Sequence, residues 1–96
     1  MIRTFADRGT EDIYHGNNSK AARRIPQSVW PIARRKMDML DAATQLGDLR
    51  SPPGNRLEAL KGEFAGRYSI RVNDQYRLVF RFEGSDADEV QLLDYH

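Results

Sequence analysis

The stretch "RYSIRVNDQYRLVFRFEG", residues 67–84, constrains the fold of this chain more than any other. Tyr68, Ile70 and Val72 alternate with Ser69, Arg71 and Asn73. Beyond "NDQ", Tyr76, Leu78, Phe80 and Phe82 alternate with Arg77, Val79, Arg81 and Glu83. A period of two sends successive side chains to opposite faces of a strand. Asn and Asp between two such runs favour a turn. The segment therefore predicts a β-hairpin with one apolar face and one polar face. "GSDAD" turns the chain again into a last strand, "EVQLLDYH".

The apolar face needs a cover, and helical patterning upstream supplies one. "MIRTF" reads as a short first strand and "TEDIYH" as a short helix that Gly16 terminates. "GNNSKAARRIP" mixes turn formers with basic residues and reads as a mobile loop. A long helix is expected over 28–46, with Ser28 as N-cap, Pro31 tolerated in the first turn and Gly47 closing it. Val29, Ala33, Met37, Leu40 and Thr44 form its inward stripe; Met37, Met39 and Trp30 are assigned to the core. "RSPPGN" is a rigid turn. The order of elements predicts a single α+β domain over 1–96, a small antiparallel sheet with helices packed on one face.

Composition excludes several function classes. The chain has 96 residues, 40% of them hydrophobic and 30% charged, which suits an ordinary globular domain. It has no cysteine, so neither a disulfide framework nor a thiolate zinc site is available. With only two histidines, His15 and His96, no metal site and no cofactor are expected. No apolar run reaches transmembrane length and no leader pattern precedes the domain, so a cytoplasmic location without membrane contact is expected. The net charge of +1 is uninformative, but basic residues cluster in "KAARR" and "ARRK". Those clusters fit contact with a polyanion, or an ordinary solvated surface.

The polar face of the hairpin carries Arg71, Arg77 and Arg81, with Arg67 just before it and Arg56 further upstream. Solvated sheet faces usually mix Lys, Glu, Thr and Ser, whereas guanidinium groups grip phosphate in bidentate fashion. Arg56, Arg67, Arg71 and Arg81 are thus candidates for binding RNA phosphates. The sequence ends in Asp94, Tyr95 and His96, three groups that can handle protons. If the strand stays extended, Asp94 and His96 share one face and Tyr95 takes the other. Cleavage of RNA without a metal needs a base for the ribose 2′-hydroxyl, an acid for the leaving 5′-oxygen and cations for the charge that builds on the phosphorane. Glu58, Lys61, Arg77 and His96 supply such a set. Taken singly, Glu58 and Lys61 are equally consistent with solvated surface residues.

"RLEALKG", "YSIRVNDQYRLVFRFEG" and the closing "DYH", after a helix ending "LDAATQLGDL", resemble HigB toxins of the RelE/ParE superfamily from end to end. The resemblance implies a RelE-like fold and a ribosome-dependent mRNA endonuclease acting in the A site of the 70S ribosome. It also implies a HigA-type antitoxin with a helix-turn-helix domain, through which alone the toxin meets operator DNA. By position, the family's acid, tyrosine and histidine become Asp94, Tyr95 and His96, its penultimate-strand arginine becomes Arg77, and its motif lysine becomes Lys61. Glu58 departs from the family's histidine, which implies a slower or retuned nuclease. Two rival readings remain open: a ParE-like poison that binds gyrase without catalysis, and a basic module that only binds RNA or ribosomes.

Overall fold

The computed structural model describes residues 1–94; Tyr95 and His96 lie outside the described residues. Four strands, β1 (Glu58–Ala59), β2 (Tyr68–Arg71), β3 (Tyr76–Glu83) and β4 (Asp86–Asp94), form an antiparallel sheet in sequence order. The expected hairpin is present, with Tyr68 opposite Phe80 and Ile70 opposite Leu78. Its turn is set by one side chain: Asn73 Oδ1 accepts from the backbone N–H of Gln75 at 2.9 Å and of Tyr76 at 2.7 Å. The Tyr68 and Phe80 rings, 6.4 Å apart, add an aromatic cross-strand pair.

Two helices, α1 (Arg8–His15) and α2 (Trp30–Ala42), cover the apolar face, which makes the architecture α+β as the sequence predicts. Phe80, Ile13, Met37, Leu40, Ile70, Leu78 and Val90 are fully buried between them. Helix α1 begins two residues earlier than its apolar pattern, because Asp7 Oδ1 caps the Thr10 N–H at 2.7 Å. Gly16, at φ 79°, ends it as expected. Thr10 bolts the helix to the sheet: its hydroxyl accepts the Leu92 N–H at 3.0 Å in a buried site.

The N-terminal residues do not form the expected regular strand. They make two isolated parallel bridges to β4, Ile2 to Ala87 and Phe5 to Val90, which seal the outer edge of that strand. The ladder breaks between them because β4 contains a bulge. From Val79 to Arg81 the chain of β3 advances two residues, while its partner runs three, from Gln91 to Asp88. Glu89 takes up the extra residue at φ 53°. Ala87 and Val90, an odd number of residues apart, can therefore both face the core, and both are fully buried.

Helix α2 is shorter than expected at both ends. Ser28 makes no cap bond and lies in a 3-10 turn, Gln27–Val29, while Trp30 Nε1 bonds the Ile25 carbonyl at 3.0 Å and fixes how the chain enters the helix. The helix stops at Ala42 because the Asp48 carboxylate takes the Thr44 and Gln45 N–H groups, at 3.0 and 3.2 Å, and starts a 3-10 helix, Leu46–Arg50. Those bonds hold the Asp48 carboxyl below the ordinary carboxylate range. Gly47 thus sits inside the next element, Thr44 is exposed and beyond the helix rather than part of the inward stripe, and Met39 is exposed rather than core.

The loop after α1 is tied down where a mobile one was expected. Ser19 Oγ donates to Asp12 at 2.6 Å and accepts from the Ala22 N–H at 3.0 Å, and Ala22 is fully buried in a 3-10 turn. Gly9 permits this approach, since a Cβ there would stand 2.7 Å from the Ala21 carbonyl oxygen. In an isolated helix Gly→Ala adds stability. Here Gly9→Ala should instead destabilise the fold by about 1–3 kcal/mol, the cost of overpacking against backbone. Urea unfolding of the variant checks this, and a raised midpoint would refute the close approach.

The "RSPPGN" turn contains a cis Ser51–Pro52 bond and a 3-10 turn, Pro53–Asn55. Fully buried Asn55 anchors it, donating to the Leu49 carbonyl at 3.1 Å and accepting from Lys36 Nζ of α2. Burial first, then the nearby charges of Arg35 and Arg71, hold Lys36 below the usual lysine range. None of the described helices is long and apolar enough to cross a membrane.

Candidate active site on the arginine face

Arg77 stands near the start of β3, and its guanidinium is held from two sides. Nε donates to Ser69 Oγ at 2.8 Å, and Nη2 donates to the Arg56 carbonyl at 2.6 Å. Ser69 is fully buried, and Arg56 sits in the left-handed region at φ 47°, a backbone setting uncommon outside glycine. A guanidinium has five N–H donors. Two are committed to orienting the group, and the others make no hydrogen bond among the described residues, which leaves them for an anion. Arg71 is the cross-strand partner of Arg77, and its charge is balanced by Asp74 at the hairpin turn. The face is not bare: Val79 on it is fully buried, as is Ser69.

Glu58 lies opposite Ser69 in the β1–β2 register and is exposed, so it flanks the residue that carries Arg77. Lys61 follows β1 as an exposed residue at the head of a 3-10 turn, Gly62–Phe64. Asp94 pairs in register with Tyr76, one step beyond the Leu93–Arg77 pair, so alternation sets it on the opposite strand face from Arg77. It accepts from Gln75 Nε2 at 3.0 Å beside the hairpin turn. The proposed partners Tyr95 and His96 lie outside the described residues.

Arg67 and Arg81 form a second cluster instead of standing open in the groove. Both reach Glu89, Arg81 through Nε to Oε2 and Arg67 through Nη2 to Oε1 at 3.5 Å. Arg67 also stacks over Phe64 at 5.8 Å, and its buried Nε has no hydrogen-bond partner among the described residues. Sequence reasoning missed Ser69, Gln75 and Glu89. Ser69 had a local signal, a small hydroxyl in the arginine-bearing phase of β2. Glu89 had none, because its position depends on the bulge.

In the basic clusters, Arg34 Nε donates to the Ile13 carbonyl and Arg23 to Asn18, while Lys20, Arg24 and Arg35 are exposed. The family description "RelE-like toxin of type II toxin-antitoxin system HigB" matches residues 3–96. The chain belongs to this family of toxins. It is 46% identical to Toxin HigB-1 of Vibrio cholerae over 82 residues, 85% of this chain and 84% of the relative. It is 27% identical over 96 residues to Endoribonuclease HigB of Proteus vulgaris, covering 100% of both. The toxin's fold is also similar to that of a chain in a YoeB-YefM complex from Staphylococcus aureus, with a TM-score of 0.60 over 100% of this chain and 98% of that one, at 16% identity.

Glu89 neutralises two cations on the face of the toxin that the sequence had assigned to RNA phosphates. Glu89→Gln should release Arg67 and Arg81, raise affinity for a short single-stranded RNA several-fold and steepen its salt dependence by about 0.7 for each further phosphate neutralised. Fluorescence anisotropy across a salt series measures this. An unchanged slope would show that these arginines do not meet RNA.

Proposed function

We infer that this toxin is an endoribonuclease that cleaves mRNA in the A site of the ribosome through attack of a ribose 2′-hydroxyl on the adjacent phosphate. The observation that carries the reading is the Arg77 guanidinium, oriented by Ser69 and Arg56 with further donors left over. Such a group stabilises the charge that develops on a phosphorane without reorganising during the reaction. The name Endoribonuclease HigB, carried by the Proteus vulgaris relative, supports the same chemistry.

In this mechanism a base removes the 2′-hydroxyl proton as the oxygen attacks phosphorus. The P–O5′ bond breaks, an acid protonates the departing oxygen, and a 2′,3′-cyclic phosphate is left on the upstream fragment. Glu58 serves as base, His96 as acid, and Arg77 and Lys61 as the cations; Tyr95 belongs to the same catalytic set. Asp94 acts on the imidazole through its charge alone, since it stands on the strand face opposite Arg77. DNA lacks the nucleophilic hydroxyl and is excluded by chemistry alone. The partner that silences the toxin is a HigA-type helix-turn-helix antitoxin, which also makes the contacts to operator DNA. The toxin acts in the cytoplasm, where translating ribosomes are.

Purified toxin added to translating ribosomes, followed by mapping of mRNA 5′ ends, tests the reading. Cleavage at A-site codons that requires translation is expected. Intact mRNA together with gyrase-linked DNA breaks in cells would transfer the protein to the ParE-like, non-catalytic class.

A further inference from the structure

A cleft of about 310 Å³ opens beside β1, away from the arginine face. Its walls are Leu46, Pro53, Leu57 and Tyr68, and its rim carries Arg50 and Arg56. Tyr68 is in register with Phe80 on the helix-covered side of the sheet, so the cleft and the Arg77 guanidinium belong to opposite sides. Leu46, Leu57 and Tyr68 are only half-buried, so apolar side chains meet the solvent in the cleft. The two rim arginines differ from five others in the chain. Arg3, Arg8, Arg67, Arg71 and Arg81 each have a carboxylate within 4 Å, whereas neither Arg50 nor Arg56 has an ion-pair partner among the described residues.

The cleft is bordered by an open sheet edge. Leu60 N–H bonds the Arg67 carbonyl at 2.9 Å, which by the alternation of an antiparallel ladder points the Ala59 N–H and C=O away from β2. Ala59 lines the cleft. An extended peptide running along β1 would find backbone donors and acceptors at Ala59, apolar walls for one side chain and two unpaired cations for carboxylates.

We propose that this cleft docks the toxin's antitoxin, through an extended acidic segment that presents one leucine-sized side chain between Leu46 and Tyr68. The proposal rests on membership of a toxin-antitoxin family and is independent of the nuclease reading. Charge complementarity selects the occupant: guanidinium groups above aliphatic walls suit a carboxylate next to a large apolar residue. The place also offers leverage, since the Arg56 carbonyl that orients Arg77 belongs to a residue of the cleft rim.

Isothermal titration of the full-length toxin with its purified antitoxin tests the proposal. Arg50→Glu and Leu46→Ser should each weaken binding by about 10–100-fold, the range of an interface hot spot. Arg50→Lys should stay within a few-fold of the unmodified toxin, because the charge is retained. Arg50 is exposed, so its variants should melt with the unmodified protein, and mRNA cleavage by Arg50→Glu should be unchanged. Undiminished antitoxin affinity in Arg50→Glu and Leu46→Ser would overturn the proposal. So would an Arg50→Glu toxin that binds antitoxin normally but no longer binds or cleaves RNA, which would make the cleft a nucleic-acid site.

Discussion

His96→Gln is expected to lower single-turnover mRNA cleavage by about 10²–10⁴-fold, the usual yield of a general acid or base. Imidazole is the side chain whose ordinary pKa lies nearest neutrality, so it can hold a proton for the leaving 5′-oxygen and still release it at physiological pH. Glutamine matches its hydrogen bonding but cannot transfer a proton. The helices and the sheet core close among residues 1–94, so the variant should melt with the unmodified toxin. Asp94→Asn should cost less, because Asp94 already accepts from Gln75 Nε2 and stands on the Tyr76 side of the strand. Glu58→Gln is the companion measurement: with the base gone, the acidic limb of the pH–rate profile should flatten. A His96→Gln toxin with full activity would sink the acid–base assignment, whatever the family resemblance implies.

Arg77→Ala should lower the same rate by about 10²–10³-fold, the scale of losing one preorganised donor to a developing oxyanion. Its geometry explains why a lysine would not replace it. An ammonium is a point charge, and it could not hold the Ser69 hydroxyl and the Arg56 carbonyl while turning a fork towards phosphate. Arg77→Lys should therefore recover little of the lost rate. Ser69→Ala removes one of the two tethers and should reduce the rate less than Arg77→Ala, with the Arg56 carbonyl still in place. Ribosome affinity should change much less in every case, since exposed Lys20, Arg24 and Arg35 remain to meet a polyanion. If Arg77→Ala loses affinity and rate in equal measure, Arg77 is a docking contact rather than a transition-state one. Folding must be compared as well, because deleting the guanidinium leaves the Ser69 hydroxyl and Arg56 carbonyl without their donor, at a cost of about 1 kcal/mol.

Much of this protein is legible from its sequence alone, and the reason is locality. The hairpin follows from alternation in Tyr68, Ile70, Leu78 and Phe80, and its turn from Asn73, whose side chain bonds two backbone N–H groups within three residues. Helix α1 ends at Gly16 for an equally local reason. The α+β class followed because an apolar sheet face and a helical stripe of Val29, Ala33, Met37 and Leu40 have only each other to bury against. Arg77 could be singled out from its strand phase and its family motif. Its neighbour Ser69 sits one strand away, and register was needed to bring them together.

Competition and pairing settled the rest. Helix α2 stops at Ala42 because the Asp48 carboxylate outcompetes the helix for the Thr44 and Gln45 N–H groups, a contest that apolar periodicity does not record. The first strand dissolves into two bridges because the strand it pairs with carries an extra residue. That same residue, Glu89, draws Arg67 and Arg81 away from the groove the sequence had given them. A bulge is a property of two strands in register, and the alternation within a single strand gives no sign of it. Whether Arg67 and Arg81 are held by a carboxylate or left for a ligand is therefore decided only when β3 and β4 are laid side by side.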